Sequence, residues 1–168
     1  MATQTKERNA VTSGKTTLVA EPGKQEVLVT RVFDAPRERL FKAMTDPKLI
    51  PQWWGPEKYM TTVDKLEAKP GGSWRFVQKD ASGSVHAFHG VFHELVSPER
   101  LVMTFEYEGE PGHVSLQTTT LEEVDGKTLM RDQMVFQSVG DRDGMVQAGM
   151  EEGNNDGMDR LAALVPKM

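Results

Sequence analysis

The sequence predicts an α+β protein in which a curved antiparallel sheet is covered on one face by a long C-terminal helix. Three observations predict this fold class. Five or six strand-like stretches follow one another with short connections, which implies that consecutive strands pair in antiparallel fashion. Asp125-Gly126 separates two of these stretches, and this dipeptide is typical of a tight β-hairpin. An amphipathic stretch over residues 141–165 is the only element large enough to cover one face of a sheet.

The chain begins with a polar stretch before the first strand. Residues 1–24 are rich in Thr, Lys and Gly, so we expect them to be largely disordered, although residues 16–20 have the pattern of a short edge strand. Residues 25–33, QEVLVTRVF, are rich in valine and predict the first strand of the domain. We expect residues 25–168 to form a single domain, since no repeat or second domain is visible.

Two short helices are predicted after the first strand. Residues 34–44, DAPRERLFKAM, form the first, and residues 46–54, DPKLIPQWW, form a second that Pro51 makes short or irregular. Trp53 shares a face with the apolar residues before it and is expected to point inward. Trp54 is rotated from it by about 100° on a helix, so we expect it to point elsewhere. Three positions for Trp54 stay open: it closes the mouth of a cavity, it packs under the next loop, or it contacts a partner.

Strand patterns and turn residues then alternate as far as the C-terminal helix. The predicted strands cover residues 61–68, 73–78, 85–96, 100–107, 113–124 and 127–136. The final helix is unusual because it carries interior glycines, each of which costs about 0.5–1 kcal/mol relative to alanine. Gly149, Gly153 and Gly157 stand four residues apart on one helix face. Either that face approaches another backbone closely, or it leaves room for something else.

The composition excludes several classes of function. The net charge is −5 and no dense Lys/Arg run is present, which argues against a nucleic-acid partner. The chain has no cysteine, so disulfides, thiolate nucleophiles and cysteine-bound zinc are excluded. No run approaches the roughly 18 apolar residues of a membrane span, and the N-terminus lacks the apolar core of a signal peptide. We therefore expect a soluble cytoplasmic protein.

The histidines do not predict a metal site. His86, His89 and His93 lie within one strand pattern. His86 and His89 would point to opposite faces, whereas His89 and His93 would lie roughly 13 Å apart along one face. Zinc requires ligand nitrogens at about 2 Å from the metal. We predict no bound metal and no other cofactor.

Acid–base chemistry has few candidates in this sequence. No G-x-S-x-G, phosphate-loop or H-E-x-x-H motif is present. Asp132 and Gln117 can face inward from the last two strands, and a buried carboxylate there would act as an acid or base if its pKa were raised. Asp132 and His89 are the only candidates of this kind, and an ordinary hydrogen-bonded or solvated role is the simpler explanation for both. We assign no catalytic residue.

Several separated motifs, taken together, resemble a known family. In chain order they are TRVFDAPRERLFKAMTDPKLIPQWWGP, KPGGSWRF, HGVFHELVSPERLVMTFEYEG and GMEEGNNDGMDRLAALV, within residues 25–165. The sequence is similar to the homologues of the heat-shock protein 90 ATPase activator, in the START-like, birch-pollen-allergen-like (SRPBCC) superfamily. The resemblance implies a helix-grip fold, in which a curved antiparallel sheet wraps the C-terminal helix and two short helices close one end.

The resemblance also implies a function, namely the binding of a hydrophobic small molecule, a lipid or an aromatic compound, between sheet and helix. A plainly packed core would show the same aromatic and methionine stripes, but the chain's ten methionines suit variable apolar partners. Gln117 is the predicted polar contact. The predicted apolar lining consists of Trp53, Trp74, Phe76, Phe88, Phe105, Met134 and Met150.

Two other functions stay open at this point. One is an interaction protein that stimulates the ATPase of a chaperone, with Trp54 as the surface anchor. The other is an enzyme similar to the polyketide cyclases and dehydratases, which requires an inward-facing ionisable group. In many relatives a large apolar residue follows the EEG motif of the last helix, whereas Asn154 and Asn155 follow it here. We expect this position to face solvent or to make the cavity entrance more polar.

Overall fold

The computed structural model describes residues 14–168 and confirms the predicted helix-grip α+β architecture. The strands are β1 (Thr17–Val19), β2 (Glu26–Phe33), β3 (Met60–Leu66), β4 (Ser73–Lys79), β5 (Val85–Val96), β6 (Arg100–Tyr107), β7 (Val114–Val124) and β8 (Lys127–Val135). The helices are α1 (Arg37–Thr45), α2 (Val139–Gln147) and α3 (Met150–Leu164), with 3-10 turns at Ile50–Gln52 and Val165–Lys167.

All of these strands belong to one antiparallel sheet. Its order is β1-β2-β8-β7-β6-β5-β4-β3. After β2 the chain crosses through α1 to the far edge of the sheet, and it returns strand by strand until β8 pairs with β2. Asp132 on β8 therefore has a neighbour on each side, because it is opposite Val29 of β2 and Thr119 of β7.

Alternation along the strands creates one apolar face. On β8, Thr128, Met130, Asp132 and Met134 are buried, while the residues between them are exposed or half-buried. This is the period of two that a pleated strand imposes on a sheet with one covered face. The buried face is the concave one, on which α3 packs.

The segment between α1 and β3, residues 46–59, closes one end of the sheet, as predicted, and is called the closing segment below. Pro51 lies inside the 3-10 turn that replaces the second short helix, because proline lacks the N–H that a longer helix needs. Trp53 is 7% exposed, and its indole Nε1 donates a hydrogen bond of 2.9 Å to the carbonyl oxygen of Ala43 in α1. The bond fixes the closing segment to α1.

The sequence predicts one continuous helix over residues 141–165, and this prediction is wrong. The structure has two helices, α2 and α3, which are separated at Gly149, whose φ of 91° lies in the left-handed region. Glycine adopts this conformation without the steric cost that a side chain imposes, so a turn forms where the pattern alone predicts one helix. No helix within residues 14–168 is long and apolar enough to cross a membrane.

The start of the described chain forms the short edge strand that residues 16–20 suggested. β1 pairs with β2 in antiparallel register, with Thr17 opposite Thr30. The prediction of disorder covered residues 1–24, of which residues 1–13 lie outside the described part of the chain.

The indole side chain of Trp74 on β4 lies across the neighbouring strand β5 at a glycine. It is opposite Gly90 of β5, and its indole Nε1 donates a hydrogen bond of 3.2 Å to the carbonyl oxygen of Thr104 on β6. A Cβ atom added at Gly90 would overlap both that carbonyl oxygen and the indole nitrogen. Gly90 is therefore required for the indole to lie flat across β5.

We expect Gly90→Ala to destabilise the protein by about 2 kcal/mol or more, because the added methyl group collides with backbone that cannot move cheaply. Gly144→Ala is the matched control. It lies inside α2 with nothing within 4 Å of the added Cβ, so it should stabilise the protein by about 0.5–1 kcal/mol. Urea unfolding followed by tryptophan fluorescence measures both, and equal effects of the two substitutions would contradict this account.

Candidate functional site

A cavity of about 300 Å³ lies between the concave face of the sheet, α3 and the closing segment after α1. Aromatic, aliphatic and methionine side chains supply most of its wall. The polar side chains on the wall are those of Gln78, Ser115, Gln117, Thr119, Asp132 and Asn154.

The eight residues predicted to contact a ligand all lie on the wall of this one cavity. They come from different elements and converge because each occupies the inward-facing register of its strand or helix. The binding role itself stays a prediction. The eight are Trp53 in the closing segment, Trp74 and Phe76 on β4, Phe88 on β5, Phe105 on β6, Gln117 on β7, Met134 on β8 and Met150 on α3.

Trp54 belongs to the same wall, contrary to the expectation that it points elsewhere. Its ring centroid lies 5.1 Å from that of Phe76 and 5.2 Å from that of Phe88, both in edge-to-face geometry. The helical spacing of about 100° does not apply here, because Trp53 has already left helical geometry with φ −140° and ψ −24°. Both tryptophans can therefore face inward, and Trp54 packs while it lines the cavity.

The glycines of α3 make close backbone contact with the closing segment. A Cβ at Gly157 would lie 3.4 Å from the backbone nitrogen of Gly55, and one at Gly153 would lie 3.5 Å from Pro56. Arg160 strengthens this contact, since its Nη1 donates a hydrogen bond of 3.0 Å to the carbonyl oxygen of Gly55. Both interpretations left open for the glycine face apply in part, because Gly153 and Gly157 contact the closing segment and also line the cavity, whereas a Cβ at Gly149 would meet nothing within 4 Å.

Asp132 forms the polar end of the cavity. It is 6% exposed; its Oδ2 accepts a hydrogen bond of 2.9 Å from Gln117 Nε2, and its Oδ1 accepts one of 3.1 Å from Thr119 Oγ1. Burial raises the pKa of Asp132 to about 6, although the bonds from Gln117 and Thr119 oppose the rise by favouring the charged form. Among the described residues that line the cavity, Asp132 is the only one with an ionisable side chain.

Asn154 was expected to face solvent or a polar cavity entrance, and it lies on the cavity wall. The side-chain oxygen of Asn154 is buried and accepts no hydrogen bond from any described residue. Sequence reasoning identified the polar character of this position but could not place it in the cavity, because the break at Gly149 sets the rotation of α3.

His86, His89 and His113 lie off the cavity wall and hydrogen-bond to nearby side chains. His89, the second acid–base candidate, is 3.0 Å from Glu108 on the opposite face of the sheet from Phe88. His86 Nδ1 is 2.8 Å from the Tyr107 hydroxyl. Among residues 14–168, no three His, Asp or Glu side chains lie close enough together to hold a metal ion.

Comparisons with known proteins agree with this geometry. Residues 34–166 match the family described as "Activator of Hsp90 ATPase homolog 1-like protein". No curated protein matches the sequence. Among solved structures, a protein from Chromobacterium violaceum is 28% identical, with a TM-score of 0.76 over 84% of this chain and 96% of that one.

Two further solved structures share the fold at lower identity. A protein from Rhodobacter sphaeroides is 23% identical, with a TM-score of 0.84 over 92% of this chain and 100% of that one. A protein from Mycobacterium smegmatis is 21% identical, with a TM-score of 0.82 over 90% of this chain and 96% of that one. Their similarity extends over nearly the whole domain that contains the cavity.

The ionisation of Asp132 should make stability depend on pH. Because its pKa is raised in the folded state, the folded state binds this proton more tightly than the unfolded state. The resulting stabilisation is complete below the ordinary pKa of 3.8 and is lost as the pH rises through about 6. Relative to Asp132→Asn, the wild-type protein should therefore gain about 2 kcal/mol in its free energy of unfolding between pH 7 and pH 4.

Denaturant unfolding of both proteins at a series of pH values measures this difference. Asp34→Asn, at an exposed position in the connection between β2 and α1, is the control and should follow the wild-type curve. Parallel curves for the wild-type protein and Asp132→Asn would contradict the assignment of a raised pKa to Asp132.

Proposed function

We propose that this protein binds a mainly apolar small molecule between the sheet and α3. The chain belongs to the Activator of Hsp90 ATPase homolog 1-like protein family. The observation that carries the proposal is the cavity of about 300 Å³ and its aromatic wall. This volume lies at the lower end of the range for ligand pockets, about 300–1,000 Å³. It suits a ligand of two or three fused or linked rings, or a short lipid chain.

The size of the cavity favours binding over simple packing. Protein cores are packed about as densely as organic crystals, and voids larger than a water molecule are few. The atoms that line a cavity of this size make fewer dispersion contacts with other protein atoms than those of a packed core. An apolar ligand would restore these contacts, so the cavity becomes a source of binding free energy.

The wall combines rigid and adaptable parts. The cluster of Trp54, Trp74, Phe76 and Phe88 holds its rings at centroid distances of 4.7–6.4 Å, in tilted or edge-to-face geometry. Around it lie flexible side chains that adjust to ligands of different shape. These are Met44, Met103, Met130, Met134, Met145, Met150 and Met158. This combination supports an aromatic or lipid ligand more than a small polar metabolite.

The family description suggests an alternative to ligand binding, namely that the protein stimulates the ATPase of a chaperone. That interpretation relied on Trp54 as an exposed anchor. The Trp54 ring is half-buried and packs against Trp74, Phe76 and Phe88, so it is not free to serve as one. No other observation on the described residues favours this function over ligand binding.

One requirement of an enzyme of the cyclase or dehydratase type, an inward-facing ionisable group, is met by this protein. Asp132 faces the cavity with a raised pKa, as an inward acid or base would. The other candidate, His89, lies on the opposite face of the sheet and pairs with Glu108. We therefore place ligand binding first and treat the carboxylate of Asp132 as part of the binding site.

Naphthalene is a suitable first probe, because it is uncharged, apolar and small enough for the cavity. We expect saturable shifts of the Trp54 and Trp74 indole resonances in two-dimensional NMR spectra of ¹⁵N-labelled protein. Met150→Trp should weaken binding at least about tenfold, since the larger side chain occupies cavity space at a half-buried position.

Met60→Trp is the matched control, because Met60 is 76% exposed on β3 and lies off the cavity wall. It should bind naphthalene as the wild-type protein does. Absence of saturable shifts with naphthalene and with biphenyl in the folded wild-type protein would overturn the proposed function. Equal weakening by both substitutions would place the binding site elsewhere.

A further inference from the structure

We infer that the cavity selects apolar molecules that carry a hydroxyl group and rejects those that end in a carboxylate. This inference rests on the proposed function, because it assigns the polar end of the same site. Its basis is the buried acceptor pair of Asp132 on the sheet and Asn154 on α3.

The hydrogen bonds of Asp132 leave acceptor capacity on its carboxylate. Each oxygen accepts one bond, from Gln117 or from Thr119, whereas an ionised carboxylate offers about four acceptor positions. Asp132 also lines the cavity, so a molecule bound there can reach it. The remaining positions are suited to one further donor from a ligand.

No positive charge balances this carboxylate. Asp132 takes part in none of the ion pairs of residues 14–168, and no Lys, Arg or His lies on the described cavity wall. The nearest charged side chain on the neighbouring strand, Arg31 of β2, is paired instead with Asp159 of α3. A ligand carboxylate would therefore meet a like charge in a poorly solvated space, without any cation to offset it.

Asn154 adds a second acceptor from the opposite wall. Its buried side-chain oxygen accepts no hydrogen bond from the described residues, although buried polar atoms are normally satisfied. This oxygen is therefore free to accept a hydrogen bond from a ligand. Gln117 and Thr119 each already give one hydrogen to Asp132, whose carboxylate keeps further acceptor positions.

These acceptors fit a hydroxyl group, which donates its one hydrogen to Asp132 while the body of the ligand lies against the largely apolar wall. The ligand class is therefore an alcohol or phenol on an aromatic or aliphatic body. A free fatty acid or an aromatic acid of the same shape is excluded by its charge.

Three probes of similar shape test the inference: naphthalene, 2-naphthylmethanol and 2-naphthoate. Their dissociation constants are measured at pH 7.5, where the probe acid and Asp132 are both largely ionised, by NMR titration of the tryptophan indole resonances. We expect 2-naphthylmethanol to bind about tenfold more tightly than naphthalene, as one hydrogen bond to a charged group allows. It should bind at least about a hundredfold more tightly than 2-naphthoate.

Asp132→Asn assigns the selectivity to this side chain. An amide of the same shape can donate to a carboxylate, so the preference for 2-naphthylmethanol over 2-naphthoate should fall by at least about tenfold. The control, Asp34→Asn, removes an exposed charge and should leave the preference unchanged. Circular dichroism of each variant shows whether it is folded before its affinities are compared.

Each outcome separates this inference from the function on which it rests. Binding of 2-naphthoate as tightly as 2-naphthylmethanol by the wild-type protein overturns the inference and leaves the proposed function intact. An unchanged preference in folded Asp132→Asn overturns the role of Asp132. Failure of all three probes to bind overturns the proposed function itself.

Discussion

The contact between α3 and the closing segment is the constraint on which the rest of the structure depends. Gly157 of α3 lies against the backbone around Gly55, and Arg160 donates a hydrogen bond of 3.0 Å to the same residue. Farther along the segment, the backbone nitrogen of Glu57 donates a hydrogen bond of 2.7 Å to Asp156. These contacts hold the middle of α3 against the closing segment, and the cavity lies between this part of the helix and the sheet.

Two features of this cavity act against stability at the same place. A cavity of about 300 Å³ forgoes packing contacts within the protein, and a buried carboxylate without a cation is disfavoured by desolvation. Sequences usually satisfy packing and polar rules together, and departures from both tend to coincide with functional sites. The arrangement is thus easier to explain as a binding site with a polar end than as an imperfect core.

Much of the site was predictable because it follows from strand alternation. Phe76 and Met134 could be assigned to the inner face without a structure, since side chains of a strand alternate strictly. Trp54 could not, because its direction depends on the backbone angles of Trp53, where the chain leaves the 3-10 turn. Asn154 was identified as unusual, but its place on the wall depends on where α3 starts after Gly149.

The sequence by itself determined the order of the strands, the antiparallel sheet, the inward face of its long strands and most of the aromatic wall. These follow from local periodicity and turn residues, which act over a few residues of chain. Only the tertiary structure decided that the wall encloses a space and that Asp132 and Asn154 share it. Those facts depend on the distance between α3 and the sheet, which is set by contacts between residues about 100 positions apart, such as Gly55 and Arg160.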